Sequence, residues 1–534
     1  RAILLVTGVL IAAAATAQGY LPLSRAVEAP YAAGLHAYKA NYHTAIRPCL
    51  EEEAREASPA DTSRVKSAIG LLDRWAMDSL PWKFRGGPLL DAQIAAPLDE
   101  KETIAHRASA GFWCDWSARR DLLLHADAQL WNEGLPHYLD SFVRSTHVAP
   151  GEGYAGVDSS GPWTHYDWNA YIDWKAPKYF RVTAGRGKNF FGEGYRSLFL
   201  SDNATSYPYL RITTTAWHIR YVNLFTLLND VRGANGDPSK FTRKYASFHY
   251  LSWNASKRLN FSVFESIVWS NGDSLYPRGF DINYVNPVVV FRPQEFAQGS
   301  ADNALLGFGA SFKVGLRTLL YGQAMLDEFL LREVRAGQGW YANKQGFQLG
   351  VSSFDAFKLK GLFVRLEFNY ARPFMYTHSD TRQNYSHSGE PLAHPFGSNF
   401  RELIGQVEYR RDRWIGRLHI SNSTLGMDTG LYSSGNNIFR TERERFEVGG
   451  VVDPDQKNYG HYLGDALSAQ LFYCEIGAGW LVDPPTATSI DASWTLRSRM
   501  PAGGDTEVAN IFTVGITCRF RERYKDQEVR YVLP

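Results

Sequence analysis

The chain has 534 residues, 44% hydrophobic and 14% aromatic, with 57 basic against 55 acidic side chains and a formal net charge of +2. That near-balance removes the electrostatic case for nucleic-acid binding and leaves a polyanion only a local patch to engage. Cys49, Cys114, Cys474 and Cys518 lie too far apart for a compact zinc site or a dense disulfide framework, so they read as mostly free or structural thiols.

Residues 1–17 combine one basic residue, an apolar run from Ile3 to Ala17 and a small-residue step before Gln18, the pattern of an export signal. The run falls short of the ~20 apolar residues a spanning helix needs. No later segment reaches that length, so any membrane crossing falls to strands. Gln18 rather than Cys after the expected cut argues against a lipid anchor.

Residues 18–85 are expected to form a small helical region on the periplasmic side. Within it, the stretch from Ser63 to Asp78 sets Val65, Ile69, Leu72 and Trp75 or Ala76 on one face at helical spacing, with Asp61, Thr62 or Ser63 as N-cap. That stripe is a packing face rather than a ligand site.

From residue 86 the period becomes two. Trp163 to Trp174 sets Thr164, Tyr166, Trp168, Ala170, Ile172 and Trp174 against His165, Asp167, Asn169, Tyr171 and Asp173. The segment 362–370 sets Leu362, Val364, Leu366, Phe368 and Tyr370 against Phe363, Arg365, Glu367 and Asn369, and 490–497 and 511–520 alternate in the same way. Alternation alone fits a soluble sandwich or a membrane barrel.

Connection lengths separate the two. Short links near 175–178, 217, 254–258, 315–316, 355–360, 411–413 and 483–486 alternate with longer ones near 132–162, 186–207, 229–242, 270–303, 328–345, 372–400, 422–463 and 499–508. That sorting belongs to an outer-membrane barrel with tight periplasmic turns and long extracellular loops. The expected fold is therefore an all-β, antiparallel transmembrane barrel over 86–520, of eighteen strands with sixteen as the fallback, followed by a short periplasmic tail, 521–534. The segment Ala110–Ser117 needs a partner, for which Pro88–Ala96 is the nearest candidate, and Trp163, Trp174, Trp253, Trp269 and Phe520 fall where interfacial girdles belong.

Several stretches bordering the loops carry a resemblance: GRGKNFFGEGYRSLFLSDNA at 185–204, NYVNPVVVFRPQEF at 283–296, SADNALLGFG at 300–309, LYGQAMLDEF at 320–329, GWYANKQGFQLG at 339–350 and FNYARPFMYTHSDTRQNYSHSGEPLAHPFGSNFRE at 368–402. Together with HTAIRPCL at 43–50 they resemble the capsule-assembly Wzi family of outer-membrane barrels, most closely the Bacteroidetes branch labelled gliding motility protein RemB. The resemblance implies an eighteen-stranded barrel with a periplasmic helical bundle, capsular polysaccharide as the family's ligand, and gliding or adhesion proteins as partners in the RemB branch. Loops such as 270–303 and 372–400 are longer here, so ligand identity does not transfer.

Read from the residues themselves, Gly185, Gly187, Lys188 and Asn189 suggest a phosphate cradle, but without Walker spacing or a following helix a tight loop folding into the lumen is the better reading. His378, His387 and His394, with Asp380 and Glu390, suggest a metal, yet spacings of nine and seven follow no compact ligand pattern, and no metal or cofactor is expected. Asp327 and Glu328 are adjacent on a strand and face opposite sides, which excludes them as a glycosidase pair. With no nucleophile and base together on a loop, no enzymatic activity is expected.

Arg365, Glu367, Glu408, Arg410, Arg417 and His419 fall on lumen faces and are expected to pair with one another as a polar ladder; ion selectivity is the sharper alternative. The glycan-binding candidates are Trp340, Tyr341, Asn343, Tyr376, His378, Tyr385 and His387, because aromatic rings stack on sugar faces while polar groups bind hydroxyls. The competing reading is that these residues pack loops over the barrel mouth. The expected function is non-enzymatic attachment of surface polysaccharide or service in an adhesion machinery, with outer-membrane lipid as the surrounding partner. A porin-like channel for small solutes or oligosaccharides is the alternative.

Overall fold

A computed structural model describes residues 19–58, 68, 75–79, 82–98, 104–156, 162–272, 279–286, 302–428, 432–448, 450–452, 457–464 and 467–526. Eighteen antiparallel strands close into one barrel among these residues. They are β1 (Trp82–Pro97), β2 (Ala105–Arg119), β3 (Leu122–Glu133), β4 (Trp163–Lys175), β5 (Phe180–Gly187), β6 (Tyr207–Ala216), β7 (Ile219–Asp230), β8 (Thr242–Asn254) and β9 (Leu259–Ser270). The second half comprises β10 (Asn303–Val314), β11 (Thr318–Leu326), β12 (Gln345–Phe354), β13 (Leu362–Ala371), β14 (Phe400–Arg411), β15 (Trp414–Met427), β16 (Leu467–Asp483), β17 (Thr488–Pro501) and β18 (Glu507–Thr517).

Each strand pairs with the next, and β18 returns to β1 with Ile511 opposite Pro97 and Ile516 opposite Ala92. Closure removes the free edges that an open sheet would present. The segment expected to need a partner finds it, with Pro88 opposite Phe112 in the β1–β2 ladder.

The wall turns its apolar face outward. Trp168 is 43% exposed and Leu366 51%, while their neighbours Asp167 and Glu367 are buried inside. Water would penalise so continuous an apolar belt, whereas hydrocarbon does not. No helix among the described residues is long and apolar enough to cross a membrane, so the strands are the spanning elements.

The lumen is filled. Helices α1 (Arg25–Leu35) and α2 (Glu51–Ala57) pack on each other at the short-turn end. Ser24 caps α1 by accepting from Val27 N. The chain leading into and between the helices is bound to the inner wall: Tyr20 hydrogen-bonds Thr183 at 3.1 Å, His43 meets Ser252 at 2.8 Å, and Lys313 donates to Ala40 O at 2.8 Å. Glu53 of α2 pairs with Arg220. Ile46–Arg47 then pairs as a short strand with Phe190–Phe191 from the loop between β5 and β6.

Two features differ from expectation. Trp75–Ser79 is a strand paired with the start of β1, not the end of a helix, because extending β1 past its first turn satisfies backbone groups there; the rest of the proposed helix, including Val65, Ile69 and Leu72, lies outside the described residues, as do residues 1–18. The segment after Thr517 runs inside the barrel as far as Asp526. Its alternation explains the path: Arg519, Arg521 and Arg523 meet wall carboxylates at Asp491, Asp127 with Asp167, and Glu133. Phe520 stacks on Trp113, and Asp526 meets Arg196 on the opposite side.

Candidate functional site

The half of the lumen nearer the long loops holds an apolar core. Phe191, Leu198, Phe199 and Leu200, from the loop after β5, pack against Val222, Leu224, Phe248 and Phe264 of the wall and against Met375, Tyr376, Tyr385 and Phe396 from the loop after β13. These side chains are almost wholly buried, and each contributes roughly 1.5–3 kcal/mol relative to exposure. The turn that delivers them needs Gly194: a Cβ there would lie 2.5 Å from Glu367 Oε2 and 2.6 Å from Arg196 O.

Below the turn sits a buried charge network. Arg196, with a side chain 1% exposed, donates to Glu402 at 3.2 Å and to Asp526 at 2.8 Å. Glu402 also meets His394 Nε2 at 2.6 Å, and Glu367 accepts from Tyr195 N at 2.7 Å, Arg196 N at 3.0 Å and the Tyr321 hydroxyl at 2.7 Å. One loop, the wall and the C-terminal segment are thereby tied together.

The structure separates the seven glycan candidates into two groups. Tyr376 and Tyr385 are fully buried, stacked with centroids 5.5 Å apart, and donate to Leu198 O and Phe199 O at 2.8 and 2.7 Å. His387 accepts from Asn229 N at 3.0 Å, Asn343 accepts from Leu330 N at 3.1 Å, and His378 accepts from Asp380 N at 3.1 Å; all three are buried. In this arrangement these five hold loops together and present no ring face to a sugar.

Trp340 and Tyr341 remain half-exposed. Their loop zips to the one between β15 and β16 through Gly460 N to Gln338 O at 2.8 Å, His461 N to Gly339 O at 2.9 Å and Tyr341 N to Asn458 O at 3.0 Å. The zip brings Tyr459 and Tyr462, both exposed, to the same face. Arg445 stacks over Tyr341 at 3.5 Å and donates to Asn458 Oδ1 at 2.8 Å. The result is an aromatic shelf with a guanidinium and amides beside it. Tyr459 and Tyr462 were missed from the sequence; their only signal is the aromatic and amide-rich run from Asn458 to Tyr462, and its neighbour is over a hundred residues away.

The six lumen residues divide differently. Glu408 meets Arg410 at 2.5 Å, whereas Glu367 serves the inserted loop, Arg417 meets Asp491 at 2.5 Å and His419 lies 3.0 Å from Asp526. Arg365 donates to Ser352 at 3.0 Å and Gln406 at 3.4 Å. A filled lumen supplies nearer partners than the far wall does. Five of the six, all but Glu367, line a cavity of about 1200 Å³ at the short-turn end, bounded by α1 and the C-terminal segment.

The histidines of the loop after β13 do not converge: His394 serves Glu402, His387 the backbone of β7, and His378 its own turn. Lys188 donates to Gly151 O at 2.7 Å and Asp202 O at 3.1 Å, so its glycine-rich stretch is a loop clamp. Asp327 is buried and accepts from Tyr376 N, while the Glu328 side chain is half-exposed; both lie beside the buried Lys344 ammonium, which counters their charge. Ligand atoms of Glu133, Glu152 and His165 do approach within 4.8 Å of one another. Arg107 already bridges both carboxylates at 2.6 Å, and Arg523 adds a second cation to Glu133, so the site carries its own counter-charge and does not fit a metal ion.

Comparison with known proteins places this geometry. The chain is similar to the solved structure of Wzi, an outer-membrane protein involved in group 1 capsule assembly in Escherichia coli and a carbohydrate-binding β-barrel, with a TM-score of 0.56 and 12% identity over 93% of this chain and 98% of that one. The two share a fold. OccK8 (OprE) of Pseudomonas aeruginosa aligns with a TM-score of 0.43 and 10% identity over 81% of this chain and 97% of that one, and OccAB4 of Acinetobacter baumannii with 0.41 and 8% over 81% and 96%. No protein-family model matches the sequence, and neither does any curated protein.

Proposed function

We propose that this is an outer-membrane barrel, long loops outward, that holds surface polysaccharide by binding at its mouth rather than by turning it over. The RemB-like stretches extend the proposal to gliding cells, where the same loop face would serve adhesion proteins. The observation that carries it is the apolar core under the loops: Leu198, Phe199, Tyr376 and Phe396 are fully buried across the path a solute would take. A filled lumen favours attachment over passage.

The shelf of Trp340, Tyr341, Tyr459 and Tyr462 offers stacking faces, and Arg445 beside it suits an acidic sugar. Replacing Trp340 and Tyr462 by Ala should release capsule from cells without lowering barrel content in the membrane, read by sedimenting cells and quantifying polysaccharide in the supernatant. Unchanged retention of polysaccharide and unchanged surface adhesion in the double variant would refute the assignment. A steady large single-channel current from the reconstituted wild-type protein would favour the channel reading instead.

A further inference from the structure

The lumen is packed in its upper half but not in its lower. Among the described residues, the cavity of about 1200 Å³ at the short-turn end lies between α1 and the inner face of β13 to β16, with the C-terminal segment along one side. Helix α1 turns Ala29 and Ala33 toward it and so occupies little of the space. Exposed Lys360, Arg411 and Asp412 of the short turns form its rim. The apolar core and the Arg196 network close the other end. Entry is therefore from the short-turn side, which is periplasmic in the orientation proposed above.

Its wall carries cations that the fold does not balance. The deep carboxylates are engaged: Glu408 meets Arg410 at 2.5 Å, Glu152 meets Arg107 at 2.6 Å and Asp526 meets Arg196 at 2.8 Å. Glu475 accepts from the Tyr473 hydroxyl at 2.9 Å and faces Lys525 at 3.9 Å. Arg365, by contrast, is 6% exposed and has only neutral acceptors, Ser352 Oγ at 3.0 Å, Gln406 Oε1 at 3.4 Å and Glu193 O at 3.5 Å. Arg417 and Arg519 share the single carboxylate of Asp491 at 2.5 and 2.6 Å, and the buried Nε of Arg417 meets no acceptor. A buried guanidinium without its counter-charge is costly unless a further anion supplies it.

The two unbalanced points lie on one continuous stretch of wall. Arg365 is opposite Gln406, Gln406 is opposite His419, and Arg417 stands one pleat below His419 on the same strand. Arg365 and Arg417 are thus two strand spacings, roughly 10 Å, and one pleat apart. We propose that this cavity is a binding site for an organic anion carrying two oxyanion groups, carboxylate or phosphate, one held by Arg365 and the other by Arg417 with Arg519. The planar guanidinium fork matches both groups.

The site is on the other side of the plug from the Trp340 shelf, so the two should act independently, and loss of one leaves the other. It also separates a binding role from a structural one. If Arg365 held the fold together, its removal would weaken the barrel; as a cation without a carboxylate it should instead be dispensable to stability and needed for the ligand.

The test is isothermal titration calorimetry of the full-length protein in uncharged detergent micelles with trigalacturonate, fructose 1,6-bisphosphate and neutral maltotriose. At least one of the two anions should bind one to one and weaken as salt rises, while maltotriose gives no signal at this site; the tighter anion shows whether the ligand is an acidic sugar or a phosphate ester. Arg365→Met should weaken binding about 10-fold or more without lowering the unfolding temperature. Ala29→Trp, which fills the cavity and keeps every charge, should abolish it. The Trp340→Ala, Tyr462→Ala double variant should bind as the wild type does. Silence from both anions, affinity retained in Arg365→Met and Ala29→Trp, or affinity lost only in the double variant would overturn the proposal.

Discussion

Replacing Arg196 by methionine tests whether the lumen is closed by the charge network. The guanidinium sits between Glu402 and Asp526, with all three side chains at most 1% exposed. Methionine fills most of the volume but leaves two carboxylates without their cation. Removing one partner of a buried pair costs roughly 3–5 kcal/mol; because His394 and Asn369 still reach Glu402 and His419 still faces Asp526, the lower end, about 3 kcal/mol, is expected. The loss should be local, freeing the loop after β5 and the C-terminal segment while the wall persists. Planar-bilayer recording should then show frequent openings absent from the wild type, and hydrogen exchange should rise at Tyr195–Leu200. Adding Glu402→Gln and Asp526→Asn should recover part of the loss by removing the stranded charges. A change under about 1 kcal/mol in denaturant midpoint, with quiet bilayers, would refute the network as the element that holds the plug.

Acidification should loosen the same plug. Burial depresses His387 and His43 to about 3 from an ordinary value of 6.5, and holds His36 well below its ordinary range. A histidine kept neutral by the fold gives stability that is complete above 6.5 and is lost as pH falls toward 3, about 2 kcal/mol for each of His387 and His43 by pH 5. Channel openings should therefore increase between pH 7 and pH 5; a pH-independent recording would count against it. Gly194→Ala should destabilise the plug by about 1–3 kcal/mol through contact with Glu367 and Arg196, visible as faster proteolysis of the loop after β5. On the outer wall, Leu366→Arg should cost about 2–4 kcal/mol in lipid, and an unaltered unfolding midpoint would place that face in water.

Period-two alternation, sorted connection lengths and the Ala110–Ser117 segment in search of a partner determined the barrel, its strand number and its outward face, because each strand's pattern is local and the medium outside reads one face at a time. The filling of the lumen was not legible that way. Tyr376 and Tyr385 look like sugar platforms along the chain, and only packing against Phe199 and Phe248 turned them into core. Along the chain Arg519 closed the last strand and 521–534 read as a short periplasmic tail, until the alternating charges of Arg519, Arg521 and Arg523 met carboxylates on three strands. Trp340 gained Tyr462 from a segment that sequence distance keeps apart. A barrel interior is decided by what closure brings within hydrogen-bond reach, and closure is a property of all eighteen strands together.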